Sequence, residues 1–142
     1  MATKKKMLQA AAGSAGGGDV LNVEDVFSTY LYEGTGSALT ITNGIDLAGE
    51  GGLVWTKARE TPYPHLLFDT ERGANKFLYS NLTDAQQSYS GTLTSFNSDG
   101  FSIGTNPNVY NISGEDTASW TFRKAPKFFT CVTWTGDGSL GG

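Results

Sequence analysis

A Ser-His-Asp catalytic site would have to use His65, the only histidine of the chain. It lies between Pro64 and Leu66, at the start of an apolar run that favours a strand. A histidine in such a run packs against its neighbours far more often than it completes a Ser-His-Asp site. We therefore expect His65 to be structural.

Acidic residues offer no clear pair for glycoside hydrolysis, which needs two carboxyl groups facing each other across a cleft. Those that precede or follow the predicted strands mostly adjoin turns: Glu50, Glu60, Asp69 and Glu71. The glycines at positions 49, 51 and 52 precede a strand instead of opening a helix, so they do not predict a phosphate-binding loop. These patterns predict no catalytic residues, no cofactor and no enzymatic activity.

Metal ligands are equally sparse in the sequence. One cysteine, Cys131, and one histidine cannot form an internal disulfide or a conventional zinc site. Two oxygen-rich segments, Asn97 to Gly100 and Thr135 to Gly138, are too short to complete a calcium loop. Asn and Asp bond to nearby backbone in turns, so we interpret both segments as turns and predict no metal.

Composition limits the class of protein. The chain has 142 residues, of which 38% are hydrophobic and 17% charged, which suits one domain of ordinary size. No apolar run approaches the length of a membrane-spanning helix, so no membrane insertion is expected. Residues 19–142 carry seven basic and fourteen acidic side chains, a net charge of −7. Such a body repels nucleic acid, and we expect no nucleic-acid partner.

Residues 1–18 differ in composition from everything that follows. They contain three lysines, no acid and a glycine-rich stretch, which resists packing into a core. We predict an N-terminal anchor arm, extended or briefly helical, that lies against partner chains. Its charged and apolar contacts would come from five residues: Lys4, Lys5, Lys6, Met7 and Leu8.

From Asp19 onward, short runs rich in β-branched and aromatic residues alternate with Gly, Asn, Asp and Ser. This pattern predicts an all-β fold over residues 19–126, an antiparallel β-sandwich or jelly roll. Residues 81–90 are polar and predict a loop or one helical turn. The predicted strands are Val26–Tyr32, Leu39–Thr42, Leu53–Arg59, His65–Asp69, Lys76–Ser80, Thr92–Phe96, Gly100–Ile103, Ala118–Arg123 and Phe128–Trp134.

Two expectations concern individual side chains in this sandwich. Trp55 and Trp120 lie in alternating strands, and we expect both to be buried in the core. Arg72 lies close to acidic residues at a predicted strand end, and we expect it to pair with Asp69 or Glu115.

The end of the chain repeats the beginning of the sandwich. Residues 129–139 align with residues 27–37, since Phe, an aromatic residue and Gly-x-Gly-Ser recur in register. Two β-strands that end in glycine turns also match by chance, because strand propensity restricts composition. We interpret residues 127–142 as the start of a second repeat or a linker to a following domain, so that the natural chain continues beyond Gly142.

Several patterned runs resemble concanavalin-like domains in virion structural proteins of tailed phages, including phages of marine cyanobacteria. The resemblance covers nearly all of residues 1–139 and implies a concanavalin-like jelly roll and a location in the virion, with the tail favoured. It further implies docking to tail or head–tail connector proteins and a homo-oligomer, with a trimer favoured. The runs that carry it are residues 53–59, 65–76, 78–83, 93–104 and 119–124.

The expected function is therefore a virion structural protein, the N-terminal attachment region of a tail fibre or a related tail component. A head-decoration protein is one alternative. A lectin-like adhesin that binds host-surface glycans is another, because tyrosines in turn-rich segments stack on sugars and also favour protein interfaces. The tyrosines that fit either role are Tyr63, Tyr89 and Tyr110.

Overall fold

The computed structural model describes residues 20–106 and 111–139. Eight of the nine predicted strands are confirmed within a residue or two at most ends. The elements are α1 (Val23–Val26), β1 (Phe27–Glu33), β2 (Leu39–Thr42), α2 (Leu47–Glu50), β3 (Gly52–Ala58), β4 (Leu66–Asp69), β5 (Lys76–Tyr79), β6 (Gln87–Ser88), β7 (Leu93–Asn97), β8 (Gly100–Ile103) and β9 (Asp116–Arg123).

The ninth predicted strand, Phe128–Trp134, is not formed in the described structure. Residues 125–139 contribute one isolated bridge, between Ala125 and Phe129. Strand propensity alone does not order a strand, which needs a neighbour to bond with. The second-repeat interpretation of residues 127–142 stays a prediction.

In the described part of the chain, all strand pairs are antiparallel and form two sheets. The larger has six strands in the order β1-β9-β3-β4-β5-β6, and the smaller has three in the order β2-β8-β7. The chain therefore folds as an all-β protein with the character of a sandwich, as the sequence predicted. None of the helices in the described ranges is long and apolar enough to cross a membrane.

The hydrophobic core lies between the two sheets. The larger sheet contributes Val54, Leu66, Phe68 and Phe77, and the smaller contributes Ile41, Leu93, Phe101 and Ile103, all at most 3% exposed. Tyr32 of β1, and Ile45 and Leu47 in the connection from β2 to β3, complete this cluster. Phe68 and Phe77 are direct partners on β4 and β5, with ring centroids 5.3 Å apart.

Two side chains fix the loops at the ends of the sheets. The buried Asn111 accepts from the Thr35 N–H (2.8 Å) and donates to the Gly104 carbonyl (3.0 Å), so it joins two loops distant in sequence. Glu115 accepts from the N–H of Glu60 (3.2 Å) and from the N–H (3.0 Å) and hydroxyl (2.7 Å) of Thr61. These bonds, to Thr61 above all, lower the pKa of the Glu115 carboxyl.

Candidate interaction surface

The six-stranded sheet carries apolar side chains on the face turned away from the core, which we call the outer face. Directly paired residues of an antiparallel sheet point to the same side, so the register assigns this face. One row contains Thr29, Trp120, Trp55, Leu67 and Leu78, and the row beside it contains Phe27, Phe122, Leu53 and Asp69. Most of these side chains are half-buried, because they cover one another.

The expectation that Trp55 and Trp120 belong to the core is wrong. They are register partners on β3 and β9 with ring centroids 5.2 Å apart, and both lie half-buried on the outer face. The core side of the same strands carries small side chains instead, Thr56, Ser119 and Thr121, each at most 1% exposed. Alternation separates the two faces of a strand but does not tell which one meets the second sheet.

Sequence reasoning also missed Leu67 and Leu78, which extend the outer face across β4 and β5. The signal was present in the runs of β4 and β5, Leu66-Leu67-Phe68 and Phe77-Leu78-Tyr79, which do not alternate with polar residues. Continuous apolar runs indicate a strand that meets apolar surroundings on both sides.

The indole N–H of Trp55 adds a polar feature to this surface. Its Nε1 atom is buried and has no hydrogen-bond acceptor among the described residues. The ring of His65 lies nearby, with centroids 6.5 Å apart, while the backbone N–H of His65 donates to the Asn81 side chain at 2.9 Å. His65 is thus a packing neighbour of Trp55.

The last described residues cross one end of the outer face. The Phe129 ring packs on Phe122 at 5.4 Å, and Phe122 in turn packs on Phe27 at 5.0 Å. Burial raises the pKa of the Cys131 thiol; the Asp69 charge adds to this and Arg72 opposes it. Cys131 therefore lies beside the end of β4. Beyond it, Val132 is 64% and Trp134 83% exposed.

Arg72 forms one of the two expected ion pairs. Its guanidinium binds the carboxylate of Asp69, which is 1% exposed and also accepts from the Arg72 N–H at 2.8 Å. Glu115 bonds to Thr61 and the backbone of residues 60–61 instead, as described above. The Asp69 interaction is confirmed, and the alternative with Glu115 is wrong.

The outward face of the three-stranded sheet is polar by contrast. Ser102 in its centre shares a hydrogen bond with the Thr40 hydroxyl (3.2 Å) and accepts from Asn97 Nδ2 (3.0 Å). The Asn97 Oδ1 accepts from the Ser95 hydroxyl at 2.8 Å. The interpretation of residues 97–100 as a turn is supported by the hairpin of β7 and β8, in which Asn97 pairs with Gly100. No cluster of three metal-ligating side chains occurs among the described residues.

Two of the three singled-out tyrosines, Tyr63 and Tyr89, lie in the described structure, on different connections of the larger sheet. Tyr110 lies outside the described residues. Tyr63 is half-buried in the loop after β3, and its N–H donates to the Thr61 carbonyl at 2.8 Å. Tyr89 follows β6, three strands from β3 in the sheet, and is 49% exposed.

Tyr89 has an aromatic neighbourhood that includes a second tyrosine, Tyr79. The rings of Tyr79 and Tyr89 both pack on Phe77, with centroids at 5.4 and 5.9 Å. The Tyr89 hydroxyl donates to Gln87 Oε1 at 3.1 Å. Burial raises the pKa of Tyr79, and the charges of Tyr89 and Asp84 add to this. This cluster lies at the edge of the larger sheet that β6 forms.

A groove lies where the chain enters and leaves the sandwich. Residues 124–130 and Glu50 line a cavity of about 690 Å³, and residues 20–22 and Asp25 line an adjoining one of about 440 Å³ with the same turn at 124–127. The predicted anchor residues, Lys4 to Leu8, lie outside the described residues.

Comparison with known proteins places the chain in a family without a known function. No curated protein and no solved structure matches it. One family model, described as a domain of unknown function, matches residues 22–140, which includes both the sandwich and the C-terminal segment. The chain belongs to this family, DUF7483.

Proposed function

We propose that this protein is a structural component of a tailed-phage virion, the attachment region of a tail fibre or a related tail component, with no enzymatic role. The observation that carries the proposal is the outer face, whose centre is the Trp55–Trp120 pair on the side of the sheet turned away from the core. Tryptophan and other aromatic residues concentrate in the centres of protein interfaces. Such a face favours packing between subunits over turnover of a small substrate.

The proposed assembly uses two parts of the chain. The sandwich, as a concanavalin-like jelly roll, self-associates and spaces the outer parts of the tail. The N-terminal arm, with Lys4, Lys5, Lys6, Met7 and Leu8, docks to acidic and apolar surfaces of neighbouring tail or head–tail connector proteins. The resemblance of the patterned runs to virion proteins supports this arrangement, as does the antiparallel sandwich.

A reconstruction of purified phage particles that locates the sandwich tests the proposal. Density for the sandwich in the tail, in a few copies per particle, is the expected result. Density that covers the shell with its symmetry would support the head-decoration alternative, and absence of the protein from particles, checked by mass spectrometry, would contradict both. Deletion of residues 2–18 should abolish incorporation while the sandwich stays folded.

A glycan-binding role is a second candidate, favoured by the cluster of Tyr79, Tyr89 and Gln87. The half-exposed Tyr89 ring offers a stacking surface for a sugar, the Gln87 amide accepts from its hydroxyl, and the Asp84 charge acts on the neighbouring Tyr79. Glycan-array binding that is lost in Tyr89→Ala but kept in Tyr30→Ala, a control on β1 with 37% exposure, would support this role. Equal binding by both variants, or none by the parent protein, would exclude this cluster as the site.

A further inference from the structure

Within the described ranges, strand β1 forms an edge of the larger sheet that has little of the usual protection against pairing. The bond from the Gly34 N–H to the Glu115 carbonyl (2.9 Å) extends the β1–β9 register, so even-numbered residues bond to β9. Thr29 and Leu31 therefore direct their backbone groups outward, and no further strand of the described ranges pairs with β1. Residues 27–32 contain no charge and no proline.

The opposite edge of the same sheet is much shorter than the edge at β1. It is formed by β6, which has only two residues, Gln87 and Ser88. Very short edge strands, charges and prolines are the devices by which proteins prevent edge-to-edge pairing. Strand β1, with seven residues of which 27–32 carry no charge, thus has the character of a binding edge.

The C-terminal segment offers a strand of matching chemistry. Residues 128–135 are free of charge, proline and glycine and rich in Thr, Val and aromatic residues, which is the composition that pairs in sheets. Val132 and Trp134 are 64% and 83% exposed, and Leu31 on β1 is 59% exposed. Eight of the ten large hydrophobic side chains exposed in the described ranges lie between residues 20 and 31 or between 128 and 134.

The position of this segment directs it away from its own β1. Phe129 packs on Phe122 of β9, and Cys131 interacts with Arg72 beside Asp69 at the end of β4. In the order β1-β9-β3-β4, that point is three strands from β1, or roughly 14 Å at the usual strand spacing. Cys131 thus lies well away from the open edge, and the exposed residues Val132 and Trp134 follow it directly in the chain.

We propose that residues 132–135 of one copy of this chain add as a strand to the edge of β1 in a second copy. The backbone groups of Thr29 and Leu31 would bond to this strand. The exposed side chains of Val132 and Trp134 would become buried against Leu31 and the neighbouring outer face. The inference deepens the proposed function and rests on its claim of self-association.

The symmetry of the assembly follows from this pairing. Two different surfaces meet, the C-terminal segment of one copy and β1 of the next, so the contact is heterologous. Such contacts close into rings or continue as filaments. A closed ring of three copies would be the trimer that the resemblance implies. Pairing of β1 with β1 would instead give a two-fold dimer.

Two complementary variants test the proposal by analytical ultracentrifugation of the full chain. Leu31→Lys places a charge on the open edge, and Val132→Lys combined with Trp134→Ala disables the added strand. Both change exposed positions, so circular dichroism and thermal unfolding should match those of the parent protein. Leu82→Lys, at a position 45% exposed outside both segments, is the matched control.

The expected result is reversible association of the parent protein and the control, with each variant monomeric alone and the two mixed variants forming a one-to-one complex. Amide hydrogen exchange should slow at Thr29 and Leu31 in the assembled parent protein only. A monomeric parent protein, or variants that associate as it does, would overturn the proposal. Association without protection at Thr29 and Leu31 would also overturn it and assign self-association to another surface. Neither of these two contrary outcomes bears on whether phage particles contain the protein, which the particle reconstruction and mass spectrometry test separately.

Discussion

Trp55 and Trp120 face each other across β3 and β9, with ring centroids 5.2 Å apart, on the side of the larger sheet that does not contact the smaller one. Their position divides the aromatic residues into two groups with different tasks. Phe68, Phe77 and Phe101 fill the core. The two tryptophans, with Phe27 and Phe122, form the outer face. Within one chain, these four side chains are only half-buried.

The first prediction compares a core ring with an outer-face ring. Phe68→Ala should lower the free energy of unfolding by about 3–5 kcal/mol, the range for a buried Phe that leaves a cavity. Trp120→Ala should cost less, about 1–2 kcal/mol, because the ring is half-buried and loses mainly its contact with Trp55. Urea unfolding followed by circular dichroism measures both. Equal losses would mean that the outer face acts as a second core.

The second prediction concerns the ion pair at the end of β4. Arg72→Ala should lower the free energy of unfolding by about 2–4 kcal/mol, because the Asp69 carboxylate is 1% exposed and loses its charged partner. The matched control is Lys124→Ala, whose ammonium lies 3.7 Å from the Glu71 carboxylate with both side chains exposed. That exposed pair should contribute at most about 0.5 kcal/mol. Urea unfolding measures both variants. Similar small losses of unfolding free energy in the two would show that the buried Asp69 carboxylate is stable without the Arg72 guanidinium.

The sequence predicts the strands of this fold well because their chemistry is local. Runs such as residues 53–58 and 118–123 alternate, and turns at Asn43-Gly44 and Asp99-Gly100 separate them, so the all-β class and most strand bounds follow. The two-residue strand β6 lies in a polar segment and depends on pairing with β5, which no local pattern records. The four-residue helices α1 and α2 are likewise too short to show a periodicity.

The candidate surface was harder to predict than the fold, for a physical reason. Trp55 and Val54 alternate on β3, and either side of the strand is apolar enough to face a core. Which side meets the second sheet depends on the strand order, a long-range property. The Arg72 and Asp69 pair was predictable because its partners are three residues apart.

The third prediction concerns acid stability. The pKa of Glu115 lies below its ordinary value of 4.5 because the Thr61 hydroxyl and the backbone of residues 60–61 donate to its carboxylate. The unfolded chain, with the higher pKa, takes up the proton first, so this stabilisation is present above pH 4.5 and is lost as pH falls through the folded pKa. Glu115→Gln should flatten the decline of stability below about pH 4.5. Thermal unfolding over a pH series measures it, with Glu24→Gln on α1 as the control. Parallel curves for Glu115→Gln and the parent protein would contradict the assignment.

The fourth prediction tests how closely β8 approaches β2 at the hairpin that closes the smaller sheet. Gly100 has a φ of +152°, and a Cβ built on it would lie 1.9 Å from the Ile41 carbonyl oxygen. Gly100→Ala therefore has to displace the backbone that pairs Thr42 with Gly100, and it should cost about 3 kcal/mol or more or prevent folding. Gly73→Ala is the matched control, since Gly73 has a φ of +87° but open space around its Cβ, and backbone strain alone costs about 1–2 kcal/mol. Urea unfolding compares the two variants, with soluble expression as the readout where Gly100→Ala does not fold.

A loss of stability no larger than that of Gly73→Ala would mean that β2 and β8 separate readily. The core contact between Ile41 and Phe101, which are partners in this ladder, would then depend on the larger sheet alone.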